Sequence, residues 1–290
     1  MVPTEQIALS SALPTEDDSM ASFSHPRQKT LAYEDLVQGL QKWRIWFMLA
    51  SQDIQLRYRR SVIGPFWITL SMAITVYSMG YLYAHLFKID MDRYYPFLVA
   101  GMLGWSLILS LMLDFTEGFL VIHSLIKQIK LPYTVYLHRI IMRNYLMFFH
   151  HLLVMLPIFV IFHNNAPINA CTLFIIPGLA LLYLNVFCYG SIIAMFSARY
   201  RDVPPIIKSM MQVIFFVTPV MWQPQGLQGH KQLIAELNPF YVFLELIRAP
   251  LLGKLPTAFN FSVILFFTVL GVISSALLFT RYRARIIYWL

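Results

Sequence analysis

Long uncharged apolar runs, separated by short basic segments, decide what this chain can fold into. Residues 61–87, 94–113, 145–162, 173–198 and 255–280 contain no Asp, Glu, Lys or Arg. A helix needs about 20 apolar residues to cross the hydrocarbon core of a bilayer. Most of these runs reach that length, and 145–162 does so with its flanks. Hydrophobic residues make up 58% of the chain and charged residues 12%, against about 25% charged in soluble domains. One soluble core has no room for this much apolar side chain, whereas lipid solvates it. A sixth stretch, 209–222, is shorter and ends in Thr218-Pro219 and Trp222-Gln223-Pro224. Residues 227–252 come next, weakly apolar and carrying Glu236, Glu245 and Arg248. They read as helices that re-enter the membrane edge without crossing, because broken backbone at that depth survives only under cover of protein or a water-filled cavity. The expected fold class is an all-α membrane protein of six transmembrane helices.

Six crossings put both termini on one side. Most of the 22 Lys and Arg fall on that side, with Lys88, Arg93, Lys231, Arg248 and Lys254 opposite. Basic residues accumulate in cytoplasmic loops, so both termini are expected in the cytoplasm. The net charge of +8 is then an orientation signal, and its dispersal among the spans argues against nucleic-acid binding. Residues 1–30 hold Ser, Thr, Pro and acidic residues without an apolar centre. They read as a cytoplasmic tail rather than a cleavable signal. Cys171 and Cys188 fall in one expected helix, about 25 Å apart at 1.5 Å per residue, too far to bridge.

Residues 31–60 carry Leu36, Leu40, Trp43 and Phe47 at helical spacing, with Glu34, Asp35, Gln38 and Gln41 off that face. This is the pattern of an amphipathic helix in the cytoplasmic interface, or of a soluble helix packed on a partner; Trp43 and Trp46, as interface-seeking residues, favour the first. Arg57, Arg59 and Arg60 stand just before the first span, as positive anchors do, and Gly64-Pro65 suggests a bend into the membrane. Between the second and third spans, Leu125, Ile126, Lys127, Gln128, Ile129, Lys130, Leu131 and Pro132 form a short basic amphipathic segment. It suits docking to a cytoplasmic partner or an ordinary solvated loop. Pro204 and Pro205 fit a helix start, where Asp202 suits the dipole. Asp114 and Glu117 share a helix face near the cytoplasmic end of the second span, and Arg139 and Arg143 are their expected partners in structural ion pairs. His150 and His151 point about 100° apart on a helix, poor geometry for a metal, and read as satisfied packing residues. No metal-ligand spacing or catalytic dyad stands out. Gly253-Lys254 is followed by Leu255, which lacks the hydroxyl a phosphate-binding loop needs. No cofactor is expected in this chain, and any uphill transport must draw its energy from another polypeptide.

Residues 56–67, Leu-Arg-Tyr-Arg-Arg-Ser-Val-Ile-Gly-Pro-Phe-Trp, resemble the segment before the first span of ABC-2 type permeases that export polysaccharides, such as the O-antigen, capsule and teichoic-acid permeases. The Leu131-Pro132 loop, the turn Arg199-Tyr-Arg-Asp-Val-Pro204, and Leu237-Asn-Pro-Phe-Tyr241 with Arg248-Ala-Pro-Leu-Leu-Gly253 fit the same family. The likeness covers about residues 35–290 and leaves out the N-terminal tail. It implies a homodimer of six-span subunits (residues 61–290 in each) with one channel, in a bacterial inner membrane. Two copies of a separate ATP-binding subunit would bind ATP and Mg below it. Residues 53–60 would be a gate helix, the segment from Leu125 to Pro132 the coupling helix, and residues 228–252 short periplasmic gate helices. The implied substrate is a lipid-linked glycan. Aromatic rings offer apolar faces to sugar C–H groups, which makes Tyr77, Tyr81, Trp105, Tyr145, Tyr183, Tyr189 and Trp222 candidates to line the channel, although membrane interfaces also collect aromatics. Arg57, Arg59 and Arg60 sit at headgroup level, suited to the pyrophosphate of a lipid carrier. Three rivals are an ABC-2 exporter of small hydrophobic compounds, a proton-coupled carrier, and a membrane-embedded glycan- or lipid-modifying enzyme. For the last, only Asp114 and Glu117 offer acidic chemistry near one face.

Overall fold

A computed structural model describes residues 25–64, 66–121, 131–223 and 237–290, which form helices and short turns with no strand among them. The tail over residues 1–24, the docking residues Leu125 to Lys130, Pro65, and residues 224–236 of the re-entrant region lie outside the described residues.

Two helices, α1 (His25–Gln41) and α2 (Trp43–Arg57), precede the first apolar helix, α3 (Phe66–Phe87). Then come α4 (Met91–Glu117) and α5 (Tyr133–His151), which passes through a 3-10 turn (Leu152–Val154) into α6 (Met155–Ile161). A second 3-10 turn (Ala170–Phe174) opens α7 (Ile175–Arg199), followed by α8 (Val203–Val217), α9 (Pro239–Leu251) and α10 (Ala258–Tyr282). The 3-10 turn Arg283–Arg285 and α11 (Ile286–Trp289) close the chain. Four stretches are long and apolar enough to cross a membrane: Met91–Glu117, Tyr133–Ile161, Ala170–Arg199 and Ala258–Trp289. The uncharged α3 has 22 residues, about 33 Å at 1.5 Å per residue, and is not among those four. The 15-residue α8 is about 22 Å long, short of the roughly 30 Å hydrocarbon core.

At the centre stands α4, packed against α3, α5, α7, α8 and α9. Within it 61% of the most apolar window is buried, against 28–33% in the other three candidate spans. Leu98, Leu103, Leu107, Leu111 and Phe115 form its buried spine. Gly101 lets the turn after α8 approach, since a Cβ there would lie 2.7 Å from the Val220 carbonyl oxygen. The 3-10 break after α5 has a local cause. Pro157 offers no N–H to the carbonyl four residues back, and its ring crowds that carbonyl. The Tyr77 hydroxyl donates to the Val154 carbonyl within the break (2.6 Å), and Thr69 donates to the His150 carbonyl (3.1 Å). These bonds lace α3 to the α5–α6 seam.

In α1 the expected amphipathic stripe is found on the outside. Leu40 of α1 and Trp43 and Phe47 of α2 are exposed, while Ala32, Asp35 and Gly39 of α1 are buried. The helix docks on α5 through Ala32, Asp35 and Gly39, and leaves Leu40 outward together with Glu34, Gln38 and Gln41. Contact is close enough that a Cβ on Gly39 would fall 2.0 Å from Thr134 Oγ1. Thr134 is short and already hydrogen-bonded to Asp35, so it has nowhere to move. Gly39→Ala is expected to cost about 1–3 kcal/mol through overpacking. An unfolding midpoint equal to that of the wild type would contradict this packing.

Candidate functional site

The segment before the first apolar helix is held by charge. Asp53 on α2 accepts a two-pronged contact from Arg139 on α5, Nε to Oδ2 at 2.8 Å and a terminal nitrogen to Oδ1 at 2.5 Å. Arg143 reaches the same carboxylate at 3.4 Å and Asp114 on α4 at 2.7 Å, and Asn144 also donates to Asp114 at 2.7 Å. All four charged side chains are 13–26% exposed. Two acids and two arginines alternate, so the network is electrically neutral. That neutrality is what permits it beside a membrane, where an unpaired charge is expensive. The expected pairing therefore needs correction. Asp114 takes Arg143, but Arg139 is held by Asp53. Glu117 is exposed and makes no ion pair among the described residues.

The three arginines ending this segment separate. Arg57 turns back toward α5 and touches Met147 Sδ at 3.5 Å. Arg59 and Arg60 lie in the exposed turn after α2, with Arg60 in the left-handed region at φ 76°. No carboxylate among the described residues pairs with any of the three.

Of the docking segment, Leu131 and Pro132 are described, and Pro132 stands at the position before the first turn of α5 without a side-chain cap. The first turn of α5 is anchored by Asp35, whose side chain is 0% exposed. Its carboxylate accepts from the backbone N–H groups of Tyr133 (3.2 Å) and Thr134 (3.0 Å), from the Thr134 hydroxyl (2.9 Å), and from Arg283 through Nε and a terminal nitrogen, both at 2.8 Å. One carboxylate thus joins α1, the first turn of α5 and the C-terminal 3-10 turn. A carboxylate at a helix N-terminus is favourable in itself, satisfying orphan donors and facing the positive end of the dipole. Asp202, by contrast, makes no side-chain cap at the start of α8, although prolines do occupy its first positions.

Most of the aromatic candidates serve as tethers between helices. The hydroxyl of Tyr77 goes to Val154, that of Tyr145 to the Leu179 carbonyl (2.9 Å) and that of Tyr189 to the Phe267 carbonyl (2.7 Å). Tyr183 meets His138 Nδ1 at 2.6 Å. Trp105 is buried against Phe215 and Phe240. Tyr81 is the exposed member of the set, its ring 4.2 Å from that of His85. Half-buried Trp222 donates its indole N–H to the Phe216 carbonyl (3.2 Å). The two histidines also differ. His150 Nδ1 lies 2.7 Å from the Leu146 carbonyl, whereas His151 Nε2 is buried without a partner. Among the described residues no cluster of His, Cys, Asp or Glu could hold a metal, and both cysteines are free.

On the opposite end, α9 carries a buried arginine. Arg248 is 1% exposed, pairs with Glu245, and donates to the Pro219 carbonyl at 2.6 Å. Its guanidinium also lies 4.3 Å from the Phe97 ring centre. Tyr94 donates to the Met221 carbonyl and Asn238 to Thr218 Oγ1. These bonds fasten the turn at which α8 stops.

Residues 44–252 match the family described as ABC-2 type transporter. Curated proteins give no significant match to the chain. The matched region begins in α2 and ends just past α9, taking in the Asp53 network, the span α4 and the Arg248 turn. It covers more than half of the sequence, and with four membrane-length apolar helices in place the chain belongs to the ABC-2 type transporter family, as a multi-pass membrane component.

Proposed function

We propose that this chain is the permease subunit of an ATP-driven exporter of lipid-linked polysaccharide, O-antigen or capsule, in a bacterial inner membrane. It works as a homodimer of six-span subunits with both termini in the cytoplasm. Two copies of a cytoplasmic ABC ATP-binding subunit bind ATP and Mg and push on the segment from Leu125 to Pro132. The chain itself carries no catalytic residue. One observation carries the cargo assignment. The gate segment is locked to α4 and α5 by Asp53 and Asp114, yet its last three arginines lack carboxylate partners among the described residues at the entrance to α3. Guanidinium groups in that position suit the charge-assisted, forked bonds a pyrophosphate offers. In this reading Tyr81 and Trp222 are the rings left to face a glycan.

The test is ATP-dependent movement of labelled lipid-linked glycan in vesicles holding the chain and its ATP-binding partner. Replacing Arg57, Arg59 and Arg60 together with Ala is expected to lower export about tenfold or more, since 1.4 kcal/mol of lost binding is already tenfold, with dimer assembly unchanged. Full export by that variant would remove the pyrophosphate role.

A second reading has its own observation. Ile108, Met112, Asn185, Tyr189, Phe243 and Phe267 line an almost wholly apolar cavity of about 270 Å³ between α4, α7, α9 and α10. A cavity of that kind suits an exporter of small hydrophobic compounds. ATP-dependent efflux of such compounds, without movement of the glycan, would favour it.

A further inference from the structure

The C-terminal ends of α7 and α10 gather three arginines on one pair of aromatic rings. Asn185 of α7 donates to Thr268 of α10, and Ser191 meets Ser275 further along both helices. The partners advance together, so the two helices run parallel and end at one level. Arg199 and Arg281 stand about 12 and 9 Å beyond the second contact, at 1.5 Å per residue. After Tyr282 the chain folds back through its 3-10 turn, and α11 seats fully buried Ile286 in the core. That fold brings the Trp289 ring to 5.7 Å from the Tyr282 ring. The Arg199 guanidinium lies 5.5 Å from the Trp289 ring centre and 5.1 Å from that of Tyr200. Those of Arg281 and Arg285 lie 5.7 and 5.9 Å from the Tyr282 ring centre. All three arginines are exposed, and none pairs with a carboxylate among the described residues.

A helix dipole favours cations near its C-terminus, and basic residues flank membrane spans in general. Neither effect requires three of them to share two rings. Stacking engages the flat face of a guanidinium and leaves its N–H donors, which lie in the plane, pointing past the ring. Like charges gathered in this way repel unless an anion lies among them. The spans above describe the rest of the ligand. Leu270, Ile273 and Leu277 are exposed on α10 and precede Arg281 at helical spacing, and exposed Phe196 stands one turn before Arg199 on α7. Such spacing puts each arginine at the end of an apolar stripe on the outside of a membrane span. A soluble anion would meet the arginines alone, and so would an acidic protein surface. A phospholipid meets both arginines and stripes, and basic pockets between membrane helices suit headgroups with more than one phosphate.

We infer that the ends of α7 and α10 form a docking surface for an anionic phospholipid of the surrounding bilayer, a two-phosphate lipid of the cardiolipin type. Its phosphates lie among Arg199, Arg281 and Arg285, and its acyl chains run along Phe196, Ile273 and Leu277. The lipid is a resident partner and not cargo, so the site does not depend on what the chain exports. Most of it, α10 and the turn after it, lies beyond the residues matched to the transporter family.

The test reconstitutes the full chain with its ATP-binding partner in vesicles of phosphatidylcholine holding a minor share of cardiolipin. The complex is then extracted in mild detergent, and the lipid it retains is counted by native mass spectrometry. The wild type is expected to enrich cardiolipin about tenfold over its share of the vesicle, equivalent to about 1.4 kcal/mol. Arg199→Gln with Arg281→Gln and Arg285→Gln should remove the enrichment. Lys88→Gln with Arg93→Gln and Lys254→Gln takes the same charge from the opposite end of the molecule and should leave the enrichment intact. Ile273→Ser with Leu277→Ser should weaken it severalfold with every arginine in place. Each substituted side chain is exposed, which spares the core. Enrichment that survives in the arginine variant, or that falls equally in the opposite-end variant, would overturn the site. Displacement of the lipid by an equal concentration of its headgroup without acyl chains would reduce the surface to an anion site and remove the lipid from it. If the arginine variant keeps cardiolipin but sheds the ATP-binding subunit, these arginines belong to that partner and the lipid inference fails.

Discussion

Arg248→Ala is expected to lose about 3–5 kcal/mol of stability, the usual cost of removing one partner from a buried ion pair. The arginine is 1% exposed and Glu245 15% exposed. Truncation would strand the Glu245 carboxylate, free the Pro219 carbonyl and empty the space over Phe97. The damage should spread to the turn at Thr218–Met221, which Arg248 fastens together with Tyr94 and Asn238. Removing both charges at similar volume, Glu245→Leu with Arg248→Met, should recover most of the loss, because desolvation of the pair offsets much of its attraction. Unfolding midpoints of the two single variants and the double give the coupling by a double-mutant cycle. A double variant as unstable as Arg248→Ala would show that the pairing is not the source of the effect.

The membrane helices were legible because lipid leaves a one-dimensional mark: charge is absent for as long as a helix stays in hydrocarbon. Residues 94–113, 173–198 and 255–280 largely coincide with the observed α4, α7 and α10. The stop at Thr218 was legible for a different reason, since Pro219 cannot continue a helix. Sequence pattern does not say which partner each polar side chain takes. Asp114 and Glu117 differ by three residues, yet only Asp114 faces Arg143, and Arg139 is drawn away by Asp53 on a helix 86 positions earlier. Among the tyrosines expected to line a channel, Tyr77, Tyr145 and Tyr189 give their hydroxyls to the backbone carbonyls of Val154, Leu179 and Phe267. Every residue has a carbonyl, so no sequence pattern marks these acceptors. Asp35 was misleading rather than silent. An acidic residue off the apolar stripe of an interfacial helix reads as solvated, but here Asp35 alone of its polar neighbours docks onto the protein, while Glu34, Gln38 and Gln41 stay exposed. The small residues Ala32 and Gly39, flanking Asp35 at helical spacing, were the signal that this face could approach another helix.

Asp35→Ala should be as damaging as Arg248→Ala and should also be visible in coupling. Loss of the carboxylate leaves Arg283 unpaired in a site where it is 23% exposed, at about 3–5 kcal/mol for a broken buried pair. It also uncaps Tyr133 and Thr134 at the start of α5, at about 1 kcal/mol. Asp35→Asn keeps an acceptor for the α5 N-terminus and loses the charge facing Arg283, so it should fall between the wild type and Asp35→Ala in thermal unfolding. The order matters because the clamp begins one residue after Pro132, where the segment proposed to receive the push of the ATP-binding subunit ends. A push there reaches α1 and the C-terminal turn through this carboxylate. In the folded fraction of Asp35→Asn, ATP hydrolysis should therefore continue while glycan movement per ATP falls severalfold. Export that drops only in step with the amount of folded protein would assign Asp35 to stability alone and place the coupling elsewhere.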